Sequence, residues 1–182
     1  MVDADCIAAY RRHKNLKLAA EEISIPWQSL YVRLRAAGEP IIGDKARYGS
    51  EKDKLANKAE NAFSVAVPFA VDQNKAKWQA KYDFDVLGTK VDVKSSKPKR
   101  QSFRTEKKRW AFSFAKQSLV CDFVCCFCYS DDMVVEKVLL VPSEIFGGVQ
   151  TVSVSCEGLS KWFDYEIQTE DLAPFFSSLA SI

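Results

Sequence analysis

Glycine and proline are scarce in this chain, seven and six in 182 residues, and no period repeats along it, which excludes collagen-like, low-complexity and solenoid architectures. No apolar run approaches the roughly eighteen residues that cross a bilayer. The opening MVDADCIAAYRRHK lacks the basic-then-apolar order of a secretory signal, so a cytoplasmic location without a membrane partner is expected. Histidine is nearly absent: His13 stands alone, far from the cysteines. In a reducing compartment Cys6, Cys121, Cys125, Cys126, Cys128 and Cys156 read as small buried hydrophobes. Cys125 and Cys128 do form a C-x-x-C, but CDFVCCFCY reads as a strand, where positions three apart face opposite sides, and no second ligand pair accompanies it. Net charge is small too, 26 basic groups against 24 acidic ones, and taken whole it argues against a nucleic-acid partner.

The distribution of that charge reverses the inference. Residues 1–93 carry a net +2, residues 94–109 (KSSKPKRQSFRTEKKR) a net +7, and residues 110–182 a net −7. A near-neutral total therefore conceals a polarised molecule with one concentrated basic segment.

The first forty residues read as three short helices. Asp3 or Asp5 caps the first, which ends near Lys14; the second runs from Leu16 to about Ile23; the third begins at Pro26 and stops at Gly38. Small Ala19 and Ala20, followed by Ile25, Leu30 and Leu34, form the packing pattern of a helix-turn-helix. The third helix carries Gln28, Ser29, Tyr31, Arg33 and Arg35 and no acid, a set suited to base edges and phosphates. Residues 1–47 are thus expected to form a DNA-binding unit with a linker over 39–50, and residues 48–182 a second domain. In that domain a helix over 51–67 precedes strands at KYDFDVL, KVDVKSS, RWAFSFA, CDFVCCFCYS and VVEKVLLVP, with TVSVSC as a further candidate and a short helix near the end.

The informative stretch is YDFDVLGTKVDVKSS. Tyr82, Phe84 and Val86 alternate with Asp83 and Asp85, and Val91 and Val93 with Asp92 and Lys94. A two-residue turn at Gly88 and Thr89 would set Asp85 opposite Asp92 and Asp83 opposite Lys94. Facing carboxylates repel, and a hard divalent ion such as Mg²⁺, with Mn²⁺ as a substitute, is the natural compensation. Lys94 shares the acidic face, where it could orient water or neutralise charge on a phosphate. The pattern points to metal-assisted phosphodiester hydrolysis. The bland alternative is a hairpin whose charged face is simply solvated.

The order of a helix with Glu60, a strand with Asp83, a turn, and then Asp92-Val93-Lys94 resembles the PD-(D/E)XK nuclease superfamily, which includes restriction enzymes, junction resolvases and some homing endonucleases. Tyr82 stands where a proline would precede the first acid, and Asp85 rivals Asp83 for that role. The resemblance implies an α/β fold with a mixed sheet in an αβββαβ order, preceded here by the small helical unit. It further implies Asp83 and Asp92 as metal ligands, Glu60 as an additional ligand or water orienter, and Lys94 as the positioning cation. Lys97, Lys99, Arg100, Arg104, Lys107, Lys108 and Arg109 would follow the DNA backbone, on a run that could equally be a mobile loop in the absence of DNA. The expected activity is DNA cleavage of the restriction, homing or junction-resolving kind by at least a homodimer, the apolar tail from Leu172 to Ile182 being a candidate contact surface. A non-cleaving DNA-binding accessory protein on the same fold is the alternative, and a protein-interaction module is a third.

Overall fold

The computed structural model describes residues 2–39, 41, 50–76, 80–102, 105–114, 120–149 and 151–181. The chain forms two compact units, Met1–Lys54 and Leu55–Ile182. Most of the expected linker lies outside the described residues.

The first unit contains α1 (Val2–His13), α2 (Leu16–Glu22) and α3 (Trp27–Ala36). α1 begins upstream of both expected caps, so Asp3 and Asp5 fall within its first turn, where the helix dipole favours negative charge. α2 is capped by buried Asn15, whose side chain accepts a hydrogen bond from the Leu18 amide at 2.9 Å. Pro26 is the N-cap of α3, and Gly38, with φ of +70°, follows its last turn. Ala19 and Ala20 lie buried against Leu30 and Leu34, with Cys6, Ala9 and Tyr10 of α1 completing the core. Two methyl-sized side chains on α2 let α3 cross closely, and the helix-turn-helix order follows from them.

The helix α4 (Glu51–Ala66), which carries the chain from the first unit into the second, starts from Ser50, which exchanges hydrogen bonds with Asp53 across the first turn. A five-stranded sheet runs in the order β1 (Val71–Asp72), β2 (Phe84–Val86), β3 (Thr89–Ser96), β6 (Phe123–Tyr129), β7 (Val135–Pro142). β3 and β6 are parallel and the other pairs antiparallel. A second, antiparallel sheet is formed by β4 (Lys99–Ser102), β5 (Thr105–Ser113) and β8 (Thr151–Ser155). A four-residue helix, α5 (Gln73–Ala76), follows β1, and α6 (Leu172–Leu179) comes near the chain's end. This is the expected mixed α/β fold behind a helical unit. No helix among the described residues is long and apolar enough to cross a membrane.

Two cores share the central sheet. One face carries Val91, Val93, Cys125, Phe127 and Leu140 against Phe63 of α4 and Phe176 of α6. The other carries Val124, Cys126, Cys128 and Val141 against Trp110, Phe112 and Val154 of the second sheet. β6 is buried on both faces, which is why it reads as a continuous apolar run. Cys125 and Cys128 fall in different cores, as strand alternation requires, and burial pushes both thiols up from their ordinary range.

Three expectations shift. RWAFSFA lies outside the central sheet: of its described residues only Trp110, Phe112 and Phe114 are buried, a one-faced pattern suited to an outer sheet that covers the central one. The second helix of the αβββαβ order would fall between β5 and β6, where residues 115–119 lie outside the described ones. The tail offers no free apolar face, because Leu172 and Phe176 are buried in the first core and Phe175 and Leu179 pack against it; Ile182 lies outside the described residues.

The hairpin turn is Leu87–Gly88, one residue earlier than expected. Phe84 pairs with Val91, Asp85 with Lys90, and Val86 with Thr89. Both turn residues have positive φ, +53° at Leu87 and +90° at Gly88, as a type I′ turn demands. Leucine in that region costs about 1 kcal/mol, whereas asparagine tolerates it. Leu87→Asn is therefore expected to raise the unfolding free energy by about 1 kcal/mol in urea denaturation, since the Leu87 side chain is exposed and has little packing to lose.

Candidate functional site

The one-residue shift rearranges the acidic face. The observed register, carried one step beyond β2, sets Asp83 opposite Asp92, and the Asp83 amide donates to the Val91 carbonyl at 3.1 Å. β2 begins only at Phe84, which leaves the Val93 amide for the Asp83 carboxylate: Oδ2 accepts from it at 2.7 Å. Oδ1 accepts from Asn74 Nδ2 at 3.0 Å. Asp83 is thus held from two sides. Asp85 is held elsewhere, its Oδ1 accepting from the Gly88 amide at 2.9 Å, as part of the turn. Between the two candidates for the first acid, the geometry brings Asp83 to Asp92.

Asp92 is buried, 3% exposed, on the sheet face that looks toward the second sheet. Its Oδ2 lacks a hydrogen-bond donor of ordinary geometry but meets the Lys94 ammonium at 2.5 Å. Both residues stand on the face shared by Val124 and Cys126, their partners in β6, so an ion pair sits at the margin of an apolar core. Burial dominates its electrostatics and raises the Asp92 carboxyl; Lys94 opposes that shift and neighbouring Asp83 adds to it, leaving the group pushed up to about 6. For Lys94 burial alone would lower the ammonium, but Asp92 and Asp83 together outweigh it and its pKa is raised. The cation is therefore charged at neutral pH and faces two acids.

Glu60 is half-buried on α4. Among the described residues no three His, Cys, Asp or Glu side chains are grouped to hold a metal ion. Two adjacent carboxylates, one with a buried oxygen short of donors, still fit a hard cation that takes one or two protein oxygens and completes its shell with water and phosphate. Asn74 was not evident in the sequence. Its segment carries no period, and only the Asp72 side chain, which accepts from the Asn74 amide at 2.9 Å, betrays a local turn.

The basic segment is a β-hairpin, not a loop. Lys99, Arg100, Lys107 and Lys108 are exposed along β4 and β5, Arg109 is half-buried, and Lys97 precedes the hairpin; Arg104 lies outside the described residues. Like charges face each other at Lys99–Arg109 and Arg100–Lys108. Partial relief comes from Glu106, 3.0 Å from Arg100, and Asp131, 2.7 Å from Lys108. On α3, Gln28, Tyr31 and Arg35 recur one turn apart and are exposed, while Ser29 and Arg33 are half-buried, with Arg33 leaning toward Cys6 Sγ at 4.0 Å. Trp27 and Val32 join the exposed set, which their apolar character had concealed.

No protein-family profile matches this chain, and no curated protein does. Among solved structures, the chain is similar to a bacterial homing endonuclease, I-Ssp6803I, at 20% identity over 72% of this chain and 95% of that one, with a TM-score of 0.48.

The raised Asp92 carboxyl makes a stability prediction. A carboxylate whose folded pKa lies above its unfolded value favours folding below the unfolded pKa of about 4 and loses that contribution as pH rises through about 6. In the presence of a chelator, wild type is expected to lose up to about 3 kcal/mol relative to Asp92→Asn between pH 4 and pH 7.5. Urea denaturation of both proteins at the two pH values measures the difference, and parallel pH profiles would refute it.

Proposed function

We propose that this chain is a Mg²⁺-dependent DNA endonuclease. The observation that carries the reading is the convergence of Asp83, Asp92 and Lys94 on neighbouring strands, with the basic hairpin continuing directly from the lysine's strand. A buried acid beside a second carboxylate and a charged lysine is costly to fold, and hydrolysis of a phosphodiester uses each of these parts.

Asp83 and Asp92 would hold the ion, which when bound supplies Lewis-acid stabilisation of charge on the phosphate. Asn74 and the Val93 amide fix the orientation of Asp83. Lys94, released from its contact with Asp92 as the site fills, would direct the attacking water and neutralise charge on the pentacovalent phosphate. Lys97, Lys99, Arg100, Lys107, Lys108 and Arg109 would supply salt-sensitive affinity for the backbone, and α3, through Gln28, Tyr31 and Arg35, a second DNA contact. One such site cuts one strand, so double-strand cleavage requires at least two copies.

Cleavage of supercoiled plasmid and of branched duplex with and without Mg²⁺ tests the reading. Asp92→Ala and Lys94→Ala are each expected to lower the rate by at least about 10³-fold while leaving DNA affinity intact. A fully active Asp92→Ala protein would sink the proposal, and wild type that binds but never cuts would install the accessory-protein reading instead. Asn74→Ala is expected to raise the Mg²⁺ concentration needed for half-maximal cleavage by about tenfold. Its unfolding midpoint should barely move, because Asn74 is exposed.

A further inference from the structure

The hairpin of β4 and β5 has more structure than a path of cations needs. β8 pairs with β5 from Arg109 to Ser113, and the Cys156 amide reaches the Lys108 carbonyl, so among the described residues Thr105–Lys107 has no strand beyond it. All four residues of β4 are exposed. The described part of this segment is therefore a two-stranded ribbon projecting past the sheet that roots it. A two-stranded ribbon fits the major groove of B-form DNA, as an α-helix does.

Its two faces differ. Along β5, Trp110 and Phe112 point into the core, and Lys108, on their side, is tied to Asp131. The opposite face carries Lys107 and Arg109, together with Lys99, which pairs with Arg109, and Gln101, two residues along the same strand. Glu106, the acid nearest that face, is paired with Arg100 at 3.0 Å. Between Arg100 and Ser102 the register shifts, so that Gln101 opposes both Glu106 and Lys107. Such a bulge tightens the twist and re-aims the side chain opposite it. Among the described residues Gln101 and Lys107 have no side-chain hydrogen bond or ion pair, and neither has Lys99. A glutamine amide set between free cations is the group that reads adenine, donating to N7 while accepting from N6.

We propose that this ribbon lies in the major groove of duplex DNA, that Gln101 reads an adenine there, and that Lys99 and Lys107 grip the phosphates on either side. The inference rests on the reading that the chain acts on DNA and adds where it reads sequence. Duplex RNA is not the expected partner, because its major groove is too narrow and deep for a ribbon.

The test selects duplexes from a random-sequence pool with the full-length chain, then replaces each adenine of the preferred site with 7-deazaadenine. Wild type is expected to lose about tenfold in affinity at one position, and Gln101→Ala to be indifferent to the replacement there. The double variant Lys99→Ala/Lys107→Ala should keep the sequence preference and lower the slope of log affinity against log salt by about two. All three positions are exposed, and circular dichroism confirms that the variants fold. A chain that binds duplexes yet loses the same affinity at every deaza position with or without Gln101 overturns the groove assignment and leaves the nuclease reading standing. Binding to no duplex, or equal binding to duplex RNA or to an acidic polypeptide, overturns both.

Discussion

A lysine held 2.5 Å from a carboxylate that would otherwise be buried alone is the interaction on which the second unit depends. β3 must serve two faces at once. Its odd positions, Val91 and Val93, fill the core under α4, and its even positions, Asp92 and Lys94, meet the side where the second sheet lies. Apolar residues at those even positions would have made β3 resemble β6, a strand buried on both faces. The chain instead places an acid and a base there and accepts a carboxyl that holds its proton up to about pH 6. Unfavourable burial of this kind is commonly tolerated where a site needs it.

Much of this was legible in residue order. The amphipathic helix with Leu55, Ala59 and Phe63, the small pair Ala19 and Ala20, and the two-sided β6 all follow from periodicity, because burial imposes period directly on side-chain type. Cys125 and Cys128 could be assigned to opposite faces for the same reason. The charged face at Asp92 and Lys94 was also visible, since two polar residues on one face of an apolar strand are hard to hide.

What could not be read was the pairing. A leucine in the left-handed region runs against propensity, so the turn at Leu87–Gly88 was invisible; it came out one residue late and the strand pairing two residues off. Asn74 approaches Asp83 across a bend that no pattern marks. The hairpin of β4 and β5 escaped because lysine and arginine are poor strand formers and a ribbon solvated on both faces shows no alternation of apolar and polar residues. Sequence reports which side chains seek the interior; it is much less informative where nothing is buried.

The Leu87–Gly88 turn has an evolutionary consequence. Four residues separate Leu87 from Asp92, yet the length of that turn decides which acid stands opposite it. Lengthening it by one residue while keeping the core face paired is not available, because a single step turns every side chain of β2 over. The acids can drift only by substitution, whereas the turn is closed to insertion and deletion. Among descendants of this chain, loop length at Leu87–Gly88 should be inherited as rigidly as the acids themselves, and a change there would be as complete a loss as deleting one of them.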